Sequence, residues 1–305
     1  MSSQSVLLIG ASGYIGPHIT KAFIAQKSKF ARIAILADPS KVSKFTQEAE
    51  AGVEIVVGSF LESTLFKNFT TVICMLGNNA LTLQPAIIEA AASAGVTHFY
   101  PSEFGGDLSQ ELCLKNPYFR DKLVTRQALE KTAEKYKGFG YTYIICGAFA
   151  EYLTGFTFGF IREESKFEFY GDVEKQMQFT GVADIAKYTV ASVLTLPAPG
   201  TVCPPGRTLK IPTASHTWVE ISDIMSRVTG RECKIIQHTT SDAYELVAKY
   251  AEEGDRAKSA EYALKAFIGD ARAEGVPKPW DTDQFPEIKP QSLEVCLQRA
   301  FNSEI

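Results

Sequence analysis

The first half of the sequence alternates short apolar runs with longer amphipathic segments, and this alternation restricts the fold more than any other feature. The apolar runs are SVLLIG, ARIAILAD, GVEIVVG, TTVICML, THFYPS and YTYIICG. The segments of helical length between them cover 14–27, 39–50, 60–68, 80–94 and 117–136. Strands that are apolar along their whole length and are joined by helices predict a parallel sheet covered on both faces. Right-handed crossovers then predict a doubly wound α/β fold.

The regular alternation ends near residue 150, which predicts a change in organisation there. We expect residues 1–150 to form a nucleotide-binding domain. We expect residues 151–305 to form a small α+β substrate-binding lobe packed on it, with some chain crossing back. In that lobe GRTLKIPT is typical of a strand, and TWVEISDIMSRVTG of a helix ended by Gly230. Two further helices are predicted on either side of Gly254, and a last helix near the end of the sequence.

Composition excludes several classes of partner. The 305 residues carry a net charge of −4 without a basic patch, so neither nucleic acid nor an anionic membrane is expected as a partner. The apolar runs are too short to span a bilayer, and no basic region precedes the first of them. The six cysteines and four histidines lack metal-ligand spacing, so no metal is expected. We expect a cytoplasmic monomer or homodimer.

A glycine-rich loop, GASGYIG, lies between the first predicted strand and the first helix. Gly10 would let the chain turn sharply, Gly13 would let backbone approach a pyrophosphate, and Gly16 would let the helix pack close to the sheet. Backbone N–H groups and the positive helix end would then hold the anion, with contributions from Ser12, Tyr14 and Ile15. This is the Rossmann-type arrangement for a dinucleotide such as NAD(P)(H). A glycine-rich turn without a ligand is the alternative.

Asp38, at the end of the second predicted strand, bears on the choice between NAD and NADP. An acidic residue there would accept hydrogen bonds from the ribose hydroxyls and slightly favours NAD. Lys41 and Lys44 follow it closely and could neutralise a 2′-phosphate, or could be solvated surface residues. Asp38 could instead cap the next helix, with Pro39 at its first position.

Polar residues follow the fourth and fifth predicted strands, where ligands bind in open α/β sheets. Leu76, Gly77 and Asn78 follow the fourth strand and are expected beside the nicotinamide ribose, with Asn79 and Gln84 as further candidate contacts. Ser102, Glu103 and Phe104 follow the fifth strand and should line the cleft.

The segment PYFRDKLVTRQALE places Tyr118 and Lys122 four positions apart, which is one helical turn. Hydride delivered to a carbon leaves negative charge on an attached oxygen, and a phenol beside an ammonium can supply the proton. A lysine can also donate directly. Pro117, with Asn116 as a cap, would place Tyr118 in the first turn of the helix, where pocket lining or packing is the alternative role. Lys122 could likewise be an exposed helix residue.

Aromatic residues are concentrated directly after the sixth strand. An apolar pocket for a flat substrate would use side chains from this segment together with one from the fifth strand. The candidates are Phe104, Phe149, Tyr152, Leu153 and Phe156. Core packing between the sheet and the lobe is the alternative for each of them.

The order of these motifs along nearly the whole chain resembles the isoflavone-reductase-like and NmrA-like group of atypical short-chain dehydrogenases/reductases. Each motif is short, but their joint order is fairly specific. The motifs are GASGYIG, PSEFG, FRDKLVTRQALE, YTYIICGAFAEYL, FTGVADIAKYTVASVL and RTLKIPTASHTWVEISDIMSRVTG.

The resemblance implies an NAD(P)H-dependent reductase of an aromatic or polyketide-like molecule at an enone, carbonyl or quinone-methide-like centre. Lys122 matches the lysine that acts as general acid or base in the plant reductases of this group, and Ser102 matches the substrate-orienting serine of the superfamily. The group generally lacks a tyrosine at the position of Tyr118, and its NADPH-dependent members tend to carry arginine where Asp38 stands. A dinucleotide-sensing regulator without catalysis, and a non-redox isomerase or dehydratase, are the alternative functions.

Overall fold

The computed structural model describes residues 4–198, 201 and 205–302. The chain forms two compact units, here named the first and second units. The first unit comprises the residues up to Phe104 together with Asp121–Ile144 and Ile185–Leu209. The second comprises Gly105–Arg120, Ile145–Asp184 and the residues from Lys210 onward.

Strands and helices alternate through the first 145 residues as the sequence predicts. The strands are β1 (Ser5–Ile9), β2 (Arg32–Ala37), β3 (Glu54–Val57), β4 (Thr71–Cys74), β5 (His98–Tyr100), β6 (Gly140–Ile145), β7 (Ala148–Phe149), β8 (Phe160–Ile161), β9 (Lys166–Tyr170), β10 (Met177–Thr180), β11 (Gly206–Lys210), β12 (Ala214–His216) and β13 (Lys234–His238). The helices are α1 (Gly16–Ala25), α2 (Thr46–Glu50), α3 (Gln84–Ser93), α4 (Glu111–Leu114), α5 (Arg120–Lys135), α6 (Val182–Leu194), α7 (Trp218–Thr229), α8 (Thr240–Glu252), α9 (Arg256–Gly269) and α10 (Leu293–Asn302).

Seven strands form the sheet of the first unit, in the order β11-β6-β5-β4-β1-β2-β3. The pairs from β6 to β3 are all parallel. This confirms the predicted doubly wound parallel sheet. The strand order reverses between β1 and β4, which is the position where open α/β sheets bind their ligands.

Burial and register explain why the ends of the central strands lie side by side. The side chains of β1 from Val6 to Ile9 are fully buried, as expected for a strand covered on both faces. Ile9 pairs with Cys74 in β4, and Ile73 pairs with Tyr100 in β5. Because these strands are parallel and in register, the residues that follow them meet at one edge of the sheet.

The predicted helix over 60–68 is wrong. The structure has only a short 3₁₀ turn, Ser63–Phe66, between β3 and β4. Lys67 has already left the helical region with ψ 138°, and Asn68 after it adopts a left-handed conformation with φ 67°. Phe66, the last residue of the turn, is fully buried.

Three other predicted helices begin with 3₁₀ turns before the α-helix proper. These turns are Pro39–Phe45 before α2, Asn78–Leu83 before α3 and Pro117–Phe119 before α5. Proline begins the first and third of these turns and lies at the start of α3 after the second. Proline favours the start of a helical segment.

The second unit contains two three-stranded sheets, in the orders β12-β10-β7 and β13-β9-β8. Its core surrounds Trp218, whose ring centroid lies 4.4 Å from that of Phe169 and 5.4 Å from that of Phe167. The helix predicted to end at Gly230 does so, with φ 68° at that glycine. Gly254, with φ 77°, separates α8 from α9 as predicted.

The strand predicted in GRTLKIPT forms as β11, but it adds to the seven-stranded sheet rather than to either small sheet. The backbone N–H of Tyr141 donates to the Pro205 carbonyl over 2.6 Å at this edge. Within the described ranges, no helix is both long enough and apolar enough to cross a membrane.

Candidate functional site

The glycine-rich loop connects β1 to α1. At two of its glycines, backbone atoms of another residue lie so close that a side chain would have no space. Gly10 has φ 82°, and a Cβ on it would lie 2.7 Å from the carbonyl carbon and oxygen of Met75. A Cβ on Gly16 would lie 2.3 Å from the carbonyl oxygen of Ala11. Both glycines are therefore required by the packing of the loop itself. Gly13 has no comparable constraint, and its contact with a ligand stays a prediction.

The start of α1 fits an anionic ligand. Ile15 precedes the helix, and no side chain among the described residues caps it by a hydrogen bond. Ser12, Gly13 and Tyr14 are exposed, whereas Ile15 is buried. The N–H groups at this helix end therefore lie beside an exposed loop, which is the arrangement that binds phosphate. These residues fit a dinucleotide pyrophosphate.

Asp38 lies just beyond β2 and caps the following 3₁₀ turn, as one of the sequence interpretations expected. Its carboxylate accepts from the Ser40 hydroxyl over 2.6 Å and from the Ser40 N–H over 2.9 Å. These two hydrogen bonds lower the pKa of Asp38, and the one from the Ser40 hydroxyl has the larger effect. Asp38, Lys41 and Lys44 are all exposed. Their contact with a ribose or its phosphate stays a prediction.

Ser102 joins the ends of β4 and β5. Its hydroxyl donates to the Leu76 carbonyl over 2.7 Å, and its N–H donates to the Gln84 amide oxygen over 2.8 Å. Gln84 donates in turn to the Thr125 hydroxyl on α5 over 3.3 Å. Both Ser102 and Gln84 are buried. The predicted serine thus holds two strand ends and α5 together, and its contact with substrate stays a prediction.

Gly77 and Asn78 lie on the exposed side of the same strand end. Gly77 immediately precedes the 3₁₀ turn Asn78–Leu83, and both residues are exposed, as is Asn79. Leu76, one residue earlier, is buried at 9% relative exposure. The chain therefore passes from core to surface over two residues at the point where nicotinamide contacts are predicted.

Lys122 lies on α5 and reaches back to the end of β5. Its ammonium donates to the backbone carbonyl of Glu103. One helical turn further along, Arg126 forms a two-pronged ion pair with the Glu103 carboxylate, with Nε–Oε1 3.1 Å and Nη2–Oε2 2.6 Å. The Glu103 side chain is only 1% exposed. Arg126 is not among the site residues predicted from the sequence. Its spacing of four from Lys122 was nevertheless a signal that both lie on one helix face.

Tyr118 lies in the 3₁₀ turn Pro117–Phe119 of the second unit, not in α5. Asn116 caps this turn, as predicted, by accepting from the Tyr118 N–H over 2.9 Å. The rings of Tyr118 and Phe119 meet edge to face, with centroids 5.2 Å apart. Phe119 is buried and makes a second edge-to-face contact with Phe267 on α9 at 5.0 Å.

The predicted aromatic substrate residues differ widely in exposure. Leu153 is fully buried in the core of the second unit, and Phe104 is 7% exposed in the first. Phe149 and Tyr152 are half-buried, with ring centroids 5.2 Å apart, and burial raises the pKa of Tyr152 to about 12. Phe156 is 64% exposed, and the Lys265 ammonium lies 4.8 Å from its ring centroid. Contact with substrate stays a prediction for all five.

In the first unit, the glycine-rich loop follows β1 and the Lys122 ammonium lies near the end of β5, and β4 lies between these two strands in the sheet. Over the ranges that the structure describes, no group of three or more His, Cys, Asp and Glu side chains could hold a metal ion. A helix end beside an exposed loop can bind phosphate and a lysine ammonium can transfer a proton, and both roles stay predictions for these residues.

Comparison with known proteins identifies a matching family and similar reductases. The family model described as "NmrA-like family" matches residues 2–262. Pinoresinol reductase 1 of Arabidopsis thaliana is 31% identical over 249 residues, which cover 74% of this chain and 75% of that protein. The bifunctional pinoresinol-lariciresinol reductase of Forsythia intermedia is 27% identical, with 98% of this chain and 99% of that protein covered.

A solved structure supports the fold independently. The binary complex of leucoanthocyanidin reductase with NADPH, from Vitis vinifera, superimposes with a TM-score of 0.76. The match covers 97% of this chain and 99% of that chain at 22% sequence identity.

Proposed function

Because this chain belongs to the NmrA-like family and is an NAD(P)H-dependent oxidoreductase, we propose that it reduces an aromatic small molecule with Lys122 as the proton donor or acceptor. One observation carries this assignment. The Lys122 ammonium is held at the end of β5 by the Glu103 carbonyl, within the unit that also contains the glycine-rich loop. Ligands of open α/β sheets bind at such strand ends.

The proposed chemistry needs one proton for each hydride. Bound NAD(P)H supplies the hydride. When a carbonyl carbon accepts it, a new C–H bond forms and the electron pair of the broken C=O π bond moves onto the attached oxygen. When an enone or quinone-methide carbon accepts it, the electron pair of the broken C=C π bond moves through the conjugated system onto the carbonyl oxygen. The Lys122 ammonium donates a proton to that oxygen, becomes a neutral amine, and is protonated again by water. A positioned donor of this kind contributes on the order of 10²- to 10⁴-fold in rate.

An aromatic substrate is supported by the named relatives, which are pinoresinol and pinoresinol-lariciresinol reductases. We assign contact with the substrate ring to Phe149, Tyr152 and Phe156, whose side chains are half-buried or exposed. Phe104 and Leu153 are buried, so for them the predicted contact with substrate is less favoured than a packing role within their own units.

For the cofactor we propose NADP(H). The leucoanthocyanidin reductase structure that shares the fold holds NADPH. In this chain the Asp38 carboxylate is engaged by Ser40, and Lys41 and Lys44 lie on the same 3₁₀ turn, where they could balance a 2′-phosphate. The remaining negative charge of Asp38 would still weaken the preference over NAD(H).

Binding and turnover measured together test the proposal. The purified protein would be titrated with NADPH and NADH, and the reduced-nicotinamide absorbance then followed with a panel of aromatic enones, quinones and lignans. We expect NADPH to bind and to be oxidised by at least one aromatic substrate. Tight binding without oxidation by any compound would overturn the reductase assignment in favour of a dinucleotide sensor. A product isomerised or dehydrated without NADPH loss would favour a non-redox reaction.

The cofactor preference has a separate test at Asp38. Asp38→Asn should strengthen NADPH binding more than NADH binding, because it removes a negative charge near the expected 2′-phosphate. Ser40→Ala is the matched control, since it loosens the same cap but keeps the charge. Equal effects of both substitutions on both cofactors would place Asp38 in a purely structural role.

A further inference from the structure

We propose that Glu103 and Arg126 are positioning residues that hold the Lys122 ammonium in place, with opposite charges that cancel each other near it. The catalytic consequence rests on the proposed function of Lys122, but the arrangement itself does not. All three residues lie in the first unit.

Glu103 uses its backbone for one cation and its side chain for another. Its carbonyl oxygen accepts from Lys122, and its carboxylate accepts both prongs of the Arg126 guanidinium. Its own N–H donates to the Pro101 carbonyl over 2.7 Å, within the turn that leaves β5. The residue that receives the lysine is therefore held through its own N–H and through its side chain.

Arg126 is itself restrained from more than one direction. Its guanidinium lies 4.4 Å from the ring centroid of Tyr143 in β6, besides forming the ion pair with Glu103. The arginine side chain is 16% exposed. A planar guanidinium that stacks on a ring and grips a carboxylate with two bonds has little freedom to move, and a lysine could not replace both contacts.

The charges of the pair balance each other beside Lys122. A carboxylate that is 1% exposed is costly unless it is paired, and Arg126 supplies the pairing charge. Burial raises the pKa of the Tyr143 phenol well above its ordinary range, so this ring contributes no charge. Arg120 and Asp121 are further ionisable residues that precede Lys122 directly on α5.

Removing either member of the pair should therefore move the protonation of Lys122, and in opposite directions. Arg126→Met leaves a buried carboxylate near the ammonium, which favours the charged lysine. Glu103→Gln keeps the shape and the backbone carbonyl but leaves the guanidinium unbalanced, which disfavours the charged lysine. A nearby unbalanced charge shifts such an equilibrium by about one pH unit or more.

Competitive acetylation of the free protein measures this protonation without any turnover. Only the neutral amine reacts with acetic anhydride, so peptide mass spectrometry over a pH series gives a labelling midpoint for Lys122. We expect the midpoint to rise by about one pH unit in Arg126→Met and to fall by about one pH unit in Glu103→Gln. Lys131, an exposed lysine on the same helix, is the internal control and should not change.

An unchanged Lys122 midpoint in both variants, or a shift in the same direction in both, would overturn the proposal. Should Arg126→Met fail to fold, Arg126→Lys replaces it. That variant keeps the charge but loses the two-pronged grip, so its midpoint should stay near the wild-type value while Glu103→Gln still shifts. A shift in Arg126→Lys as large as that expected for Arg126→Met would also contradict the charge argument.

The pH profile of kcat/KM separates this inference from the proposed function. If Lys122 transfers the proton, the profile should shift with the labelling midpoint in each variant. Labelling shifts with an unchanged rate profile would uphold the positioning role and overturn the proton role of Lys122.

Discussion

The two ends of the segment 117–126 make different kinds of contact, although only a few residues separate them. At the α5 end, Lys122 and Arg126 direct their charges at a single strand-end residue, Glu103. At the 3₁₀ end, Asn116 caps the turn and Phe119 packs edge to face on Phe267. The first end holds ionisable groups at a ligand-binding edge of the sheet, and the second end builds a core. If the proposed function is right, α5 therefore carries the reactive group, and the turn before it carries packing and capping contacts.

Of the substitutions in this segment, replacement of Lys122 should have the largest effect, and the effect should be on turnover. Lys122→Ala is expected to lower turnover by about 10²- to 10⁴-fold, because the positioned proton donor is lost. The free energy of unfolding should change little, since the side chain is half-buried and its partner is a backbone carbonyl. Steady-state kinetics and chemical denaturation measure the two quantities. Lys131→Ala is the matched control, and wild-type turnover in Lys122→Ala would remove the functional half of the comparison.

Replacement of Phe119 should give the largest effect at the other end. Phe119→Ala removes a ring that is 4% exposed, and we expect a loss of about 3–5 kcal/mol in the free energy of unfolding. Urea denaturation measures it. Turnover per folded molecule should fall far less than in the Lys122 variant. Leu114→Ala, at a side chain that is 59% exposed, should be near neutral; an equal loss there would show that the effect is not specific to the buried ring.

Loss of the cap at Asn116 should give a smaller effect of the same kind. Asn116→Ala removes the acceptor for the Tyr118 N–H and the donor to the Ala263 carbonyl, which together should cost about 1–2 kcal/mol in the free energy of unfolding. Thermal or urea unfolding measures this cost. Asn116→Asp keeps the capping oxygen and should recover much of the loss. A fully stable Asn116→Ala would mean that the turn is held by Phe119 alone.

The smallest effect is expected at Tyr118. Tyr118→Phe keeps the ring that contacts Phe119, and turnover should remain within about threefold of the wild-type value, whereas loss of a general acid costs roughly 10²-fold or more. Turnover of Tyr118→Phe and of the wild type would be measured at saturating cofactor and substrate. A loss of that larger size would make Tyr118 the proton donor and would extend the functional end of the segment into the turn.

Much of the fold could be predicted because its signals are local. Continuous apolar runs fixed the central strands, and Gly230 and Gly254 ended helices where left-handed backbone was needed. The helix predicted over 60–68 is absent, and its sequence contains no clear stop signal. Asn68 has a left-handed conformation there, which asparagine adopts only in some contexts. The start of α5 was placed three residues early for a related reason, because a proline marks a helical start without distinguishing a 3₁₀ turn from an α-helix.

The candidate site was predictable only where a motif or a resemblance pointed to it. The loop from Gly10 to Gly16 and the residue Lys122 were proposed in this way, and their roles stay predictions. The ion pair between Glu103 and Arg126 joins residues on two different elements, and no local pattern reports such a pairing. Leu153 shows a second limit of the sequence. An apolar residue after a strand is compatible with both a pocket wall and a core, and in the structure Leu153 is completely buried.

The position of β11 has a consequence for how the protein is made. This strand adds to β6, whose six residues are all buried, yet residues 146–205 must be synthesised between the two. A nascent chain that has already placed β6 in the sheet therefore carries an open, apolar strand edge until β11 leaves the ribosome. Ribosomal pausing or premature termination within that interval would prolong the exposure. Chaperone demand and aggregation during translation should accordingly be set by that interval rather than by the stability of the finished protein.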